Sequence, residues 1–352
     1  MLNKFIANES KLKLFFNTMY ERQLIWYKRF VLKLPREQWT NDKLYSKYRF
    51  TNVYRELDRT SQYLLNNIIL NKNTWCKYTE DEDNYINLIW KILFFRMINN
   101  PNVFKTTDVI SDYNNYNADE FYNYLKNEII ENNIPIAHGA FCQYSKHDIL
   151  VDNKLYHFDN IGEYFAKFAI ARLHDHIKDI YQIMKESFNN DKSAYDFINY
   201  MSINIDGCGK FIAHEFFQDL CYIKEYTGLN IMKYDANSAT NAGPGSTAGS
   251  KYIFSNVKSQ KDVIEVIEYL RDIAKEELEK IQKEQFADTD GFYYVKWDID
   301  KHQYIKTDFN FTLNQIEMWL CEYYKYIKYL ESEGKVRVRL YNDSKPLDAL
   351  MY

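Results

Sequence analysis

Only 10 glycines and 5 prolines interrupt 352 residues, and this scarcity of breakers restricts the fold more than any other feature. Long segments run without a stop signal, and helical periodicity dominates them. Residues 11–34 place Leu14, Phe15, Met19, Ile25, Trp26 and Phe30 near the spacing of one buried helix face. Residues 51–70 read as a helix, and residues 84–99 are apolar nearly all round, which predicts a central helix. Further helices are predicted over 118–132, with Asn117 or Asp119 as cap, and over 161–189, 194–203, 261–286 and 312–332, the last capped by Thr312. Two short hairpins are expected, one pairing 138–143 with 150–157, the other 292–297 with 304–307. The fold class is mainly α with one or two small β-hairpins.

Composition narrows the setting. A chain that is 46% hydrophobic buries a substantial core. It has no stretch of eighteen apolar residues, which argues against a membrane span, and its first residues lack the apolar region of a secretory signal. Cys76, Cys142, Cys208, Cys221 and Cys321 are scattered and odd in number, which points to a reducing, cytoplasmic compartment without structural zinc. No metal site and no cofactor is expected. Net charge is −4, so a nucleic-acid partner would need basic groups focused in one place. Most of the 32 tyrosines read as compositional bias, with stacking on bases as the alternative.

One segment points to a partner. Ile203-Asn-Ile-Asp-Gly-Cys-Gly-Lys-Phe-Ile-Ala213 reads as two helices joined by a tight hairpin. Gly207 and Gly209 allow positive φ and close approach of another backbone, and the helix that follows offers free N–H groups to a phosphate. Lys210 suits a phosphate contact. A second glycine-rich turn, Gly243-Pro-Gly245 with Ser246, reads as either another phosphate cradle or a tight loop.

Several separated motifs together resemble a known family. They are Glu21-Arg-Gln-Leu-Ile-Trp-Tyr-Lys-Arg29, Trp39-Thr-Asn-Asp42, and Tyr48-Arg-Phe-Thr-Asn-Val-Tyr-Arg-Glu-Leu-Asp-Arg59. The hairpin, Gly243-Pro-Gly245 and Leu320-Cys-Glu-Tyr-Tyr-Lys-Tyr326 complete the set. In order and spacing they resemble the helical domain that accompanies 5-hydroxymethyluracil DNA kinases, related to the α-glutamyl/putrescinyl thymine pyrophosphorylases. The resemblance implies a helix-hairpin-helix DNA glycosylase-like fold and work on modified pyrimidines in DNA. It implies one helical unit over 1–352, with the hairpin and Gly-Pro-Gly loop within 198–258 and packing helices over 259–352. A monomer is expected.

The kinase chemistry itself needs a phosphate loop of the form G-x-x-x-x-G-K-[ST]. Residues 243–251 fail that pattern, since Gly249 is followed by Ser250 rather than Lys. The leading expectation is therefore a monofunctional glycosylase that flips and excises a bulky modified pyrimidine, with a role in defence against phage. Asp235, downstream of the hairpin, is the candidate to stabilise the sugar cation, against the alternative of a surface turn residue. Phe211 stands where the lyase branch has its Lys, so no strand cleavage is expected. Arg55, Asp58, Arg59 and Gln62, spaced along one predicted helix side with Asn52 nearby, are expected to wall the base pocket; the alternative is a structural ion-pair network. Asp219 reads as a buried helix partner. Two other readings compete: a transferase adding an amino acid or amine to activated 5-hydroxymethyluracil, and a non-catalytic DNA-binding companion of a DNA-base kinase.

Overall fold

A computed structural model describes residues 4–76, 79–104, 112–137, 148–151, 154–285, 294–298, 303–307 and 311–332. The chain is mainly α-helical. Its helices divide between two compact units: one is built from residues up to Asp58 and from Thr240 onward, the other from Arg59–Ala239.

The first unit contains α1 (Glu9–Trp26), which continues as a π-helical turn over Tyr27–Val31, then α10 (Pro244–Ile253), α11 (Gln260–Gln285) and α12 (Leu313–Glu331). Asn8 caps α1 by accepting from the Lys11 amide, and Thr312 and Gln315 close a reciprocal capping box on α12. The core of the unit joins Phe15, Phe16 and Met19 of α1 to Trp319, Leu320 and Tyr323 of α12, all fully buried. Side chains of this size contribute about 1.5–3 kcal/mol each when removed from water. The Tyr323 hydroxyl donates to the Lys11 carbonyl at 2.9 Å, so its polar end is also satisfied.

The second unit holds α2 (Arg59–Leu64), α3 (Glu82–Ile98), α4 (Pro101–Phe104), α5 (Ala118–Tyr124), α6 (Ile161–Tyr164), α7 (Ile170–Glu186), α8 (Ala194–Asn204) and α9 (Lys210–Thr227). Helix α3 is central, as its all-round apolar pattern predicts, and every apolar side chain from Leu88 to Phe95 is fully buried. It ends at Asn99 in the left-handed conformation, φ 52°, and α9 ends likewise at Gly228, φ 75°. Inside this core Arg96 of α3 meets Asp219 of α9 through both carboxylate oxygens, each side chain at most 2% exposed.

Two predicted features change. Residues 51–58 are not helical: the chain makes one short turn at Arg55–Leu57 and is extended at Asp58, with ψ 144°. The Asp58 carboxylate accepts from both the backbone and the side-chain amide of Asn52, a local bond that replaces the helical ladder. The first hairpin pairs β1 (Asp148–Val151) with β2 (Lys154–His157), so the 150–157 segment folds on its near neighbour; residues 138–143 lie outside the described residues. The second hairpin forms as expected, β3 (Tyr294–Asp298) antiparallel to β4 (Gln303–Thr307). Among the described residues, no helix is long and apolar enough to cross a membrane.

Candidate functional site

The turn between α8 and α9 forms as its sequence dictates. Ile205 and Cys208 are each 1% exposed and anchor the turn from below, and the Cys208 amide donates to the Ile205 carbonyl at 2.9 Å. Gly207 has φ +80°, and a Cβ there would meet the Tyr164 hydroxyl at 2.8 Å. Arg172 pairs with Asp206 at 3.1 Å and neutralises the carboxylate of the turn. Gly209 caps α9 without a side chain, and the first turn of α9 carries no acidic residue. Gly207, Gly209 and Lys210 are exposed, which leaves the positive end of an eighteen-residue helix open to solvent.

In the first unit, three of the quoted motifs converge on one polar face of α12. Glu322 accepts from the Thr51 amide at 3.0 Å and pairs with Lys325 at 3.0 Å. Thr51 also donates its hydroxyl to the Met318 sulfur at 3.0 Å. Next to Thr51, Asn52 accepts from Arg22 at 2.6 Å and binds Asp58, which holds Arg55 at 2.8 Å. Burial raises the Asp58 carboxyl above its ordinary range, while Arg55 opposes that shift. Arg55 and Asp58 thus sit in a bonded network. Arg59 and Gln62, expected on the same helix side, instead open α2 beyond the break and belong to the other unit.

The Gly-Pro-Gly motif opens a helix. Pro244 occupies the first turn of α10 after Gly243, where its missing N–H costs nothing. A Cβ on Gly245 would lie 2.7 Å from Cys321 Sγ, and one on Gly249 would lie 2.5 Å from the Leu320 carbonyl oxygen. Ser246 is fully buried and donates to the Gly243 carbonyl at 3.1 Å. Gly245 and Ser246 are therefore packing residues that let α10 and α12 approach. Glu317, 9% exposed, brings Oε1 to within 3.2 Å of where a Gly243 Cβ would stand. A carboxylate of the chain itself therefore stands beside the Gly243 turn that opens α10.

A cleft of ≈ 370 Å³ in this unit is lined by Asn17, Glu21, Lys28, Thr40, Asp42 and Tyr326 among others. Thr40 donates to Glu21, and Tyr326 donates to Asp42 at 2.7 Å. Asp42 also accepts from the amides of Leu44 and Tyr45. Burial raises the Glu21 carboxyl, and Lys28 partly offsets the shift. Sequence reasoning used these motifs only for resemblance. The Thr-Asn-Asp turn at 40–42, with its side-chain-to-backbone bonds, was the available signal.

Asp235 is exposed and folds back on its own turn. Its carboxylate accepts from the Asn237 amide at 2.8 Å and from the Ser238 hydroxyl at 3.1 Å. Among the described residues no cluster of His, Cys, Asp or Glu is arranged to hold a metal ion.

The fold defines a mainly α-helical protein, and comparison identifies its family. The description "5-hmdU DNA kinase, helical domain" matches residues 9–335, so the chain belongs to that family. It is 25% identical over 326 residues to a "5-hmdU DNA kinase" of Bacillus phage SP10. The match covers 91% of this chain and 45% of that relative, so the chain spans less than half of the curated relative's length. No solved structure matches.

These findings overturn the glycosylase expectation. The family is that of a DNA kinase, a phosphotransferase, and not of an enzyme that hydrolyses the N-glycosidic bond. Asp235 was assigned to that hydrolysis, and its geometry is that of a turn residue. The glycosylase-like fold implied by resemblance has no solved counterpart here; what the structure shows is a helical chain with a helix–hairpin–helix segment at α8 and α9.

Proposed function

We propose that this chain is the DNA-holding helical companion of a 5-hmdU DNA kinase, without phosphoryl-transfer chemistry of its own. The observation that carries the reading is the match of residues 9–335 to the helical domain of that kinase family. The exposed hairpin supports it, because an open helix N-terminus with Lys210 beside it favours a phosphate. In this reading Gly207, Gly209 and Lys210 hold the DNA backbone. The network of Arg22, Asn52, Arg55 and Asp58 shapes the first unit; its groups satisfy one another, which suits a rigid wall better than a reacting centre. The DNA carries 5-hydroxymethyluracil, the partner is a kinase module, and the chain works as a monomer.

Two measurements on the purified chain test this. Fluorescence anisotropy with labelled duplexes, with and without 5-hydroxymethyluracil, is expected to show salt-dependent binding. Incubation with radiolabelled ATP and the same DNA is expected to leave the DNA unlabelled. Label transfer by the chain alone overturns the companion reading, and so does absence of DNA binding at low salt.

A further inference from the structure

The hairpin carries more than a phosphate contact. Ile203, one residue before the end of α8, is 79% exposed, and Phe211, one residue into α9, is 48% exposed. They bracket Gly207, Gly209 and Lys210, so two large apolar side chains flank the segment assigned to the DNA backbone. The neighbouring apolar residues Ile205, Cys208 and Ile212 are buried, so this is not a loosely packed end. Apolar side chains held in water are costly; Leu155, Phe188 and Tyr195 of the second unit are exposed as well, but Ile203 and Phe211 are the pair that brackets the glycine turn in sequence.

We propose that Ile203 and Phe211 form an apolar wedge that enters between DNA bases while the hairpin holds the adjoining phosphates. The inference rests on the DNA-companion reading and deepens it, by naming distorted DNA with an opened base step as the form bound. Three observations favour DNA over an apolar protein surface. Lys210 lies between the two side chains in sequence, the first turn of α9 has no acid, and Asp206 is neutralised by Arg172. A wedge also needs a rigid mount. Gly207, with φ +80° and Tyr164 directly against it, supplies one. Proteins that insert Phe or Ile side chains between base steps use this combination of backbone grip and apolar insertion.

The test uses the full chain and duplex DNA carrying 2-aminopurine, whose fluorescence rises when it is unstacked. Wild type is expected to raise the fluorescence on binding and to prefer a duplex with a mismatch over a fully paired one. Ile203→Ser with Phe211→Ser, both at exposed positions, is expected to lose the fluorescence rise and about tenfold in affinity, an amount set by the apolar surface no longer buried. Lys210→Gln is expected to weaken binding while the remaining complex still unstacks the probe. If the double serine variant keeps both the fluorescence rise and the affinity, the wedge is overturned and the DNA reading stands. If wild type binds neither duplex, the DNA reading fails and takes the wedge with it.

Discussion

The backbone carbonyl of Leu320 stands where Gly249 would otherwise carry a Cβ, with only 2.5 Å between them. Gly249→Ala is therefore expected to destabilise the first unit by about 1–3 kcal/mol or more, as overpacking does. Gly245 differs, because its nearest obstacle is the Cys321 sulfur at 2.7 Å. Cys321→Ala is expected to relieve part of the damage from Gly245→Ala, whereas no trimming of the Leu320 side chain rescues Gly249→Ala. A double-mutant cycle in urea checks both.

Breaking the Arg96–Asp219 pair leaves a charge stranded in the core of the second unit. Asp219→Asn is expected to cost about 3–5 kcal/mol, far more than an exposed ion pair would. Denaturant unfolding measures it, and a change of less than about 1 kcal/mol would count the pair as marginal.

Glu21 gives a pH dependence of definite sign. Burial raises its folded-state value above the ordinary 4.5, so the folded state binds the proton more tightly than the unfolded one. Its contribution to stability is fully present below pH 4.5 and is lost as pH rises through the raised value. Glu21→Gln, which keeps an acceptor for Thr40, is expected to match wild type below that window and to be more stable above it. Unfolding free energies across the window decide; parallel profiles would contradict the assignment.

Asp235→Ala removes only a local turn bond and is expected to cost about 1 kcal/mol or less, with DNA affinity unchanged. Anisotropy and thermal melts measure the two quantities. A large loss of affinity would instead place Asp235 on the DNA-contacting surface.

Lys210→Gln is expected to reduce the slope of log affinity against log salt by about one. An unchanged slope would remove Lys210 from the phosphate contact.

Helix existence was legible in this chain wherever the apolar spacing ran long: α3, α11 and α12 fall close to their predicted bounds, and the helix predicted over 161–189 forms as a run of α6, a π-helical turn, α7 and a short 3-10 turn. The capping role of Thr312 and the burial of Asp219 were legible as well, because each depends on nearby residues or on a single helix face. The break at Asp58 was not. Its cause is a bond to Asn52 that competes with the helix, and periodicity does not report such bonds. Helix α10 was read as a loop because its glycines look like breakers, although Gly243-Pro244 is a regular helix start and Gly249 is a contact with α12. The cleft at Glu21, Thr40 and Asp42 brings Tyr326 from the far end of the chain, and no local pattern announces that meeting.

Helix α1 is synthesised long before the segment that covers it. Phe15 packs on Tyr323 with ring centroids 5.4 Å apart, and all of Arg59–Ala239 emerges from the ribosome in between. The nascent chain therefore holds an apolar helix without its partner while an entire second unit folds. Production of this protein will turn on how well the cell shelters α1 during that interval. Slower elongation or scarce chaperone is expected to lower the yield of folded first unit before it affects the second.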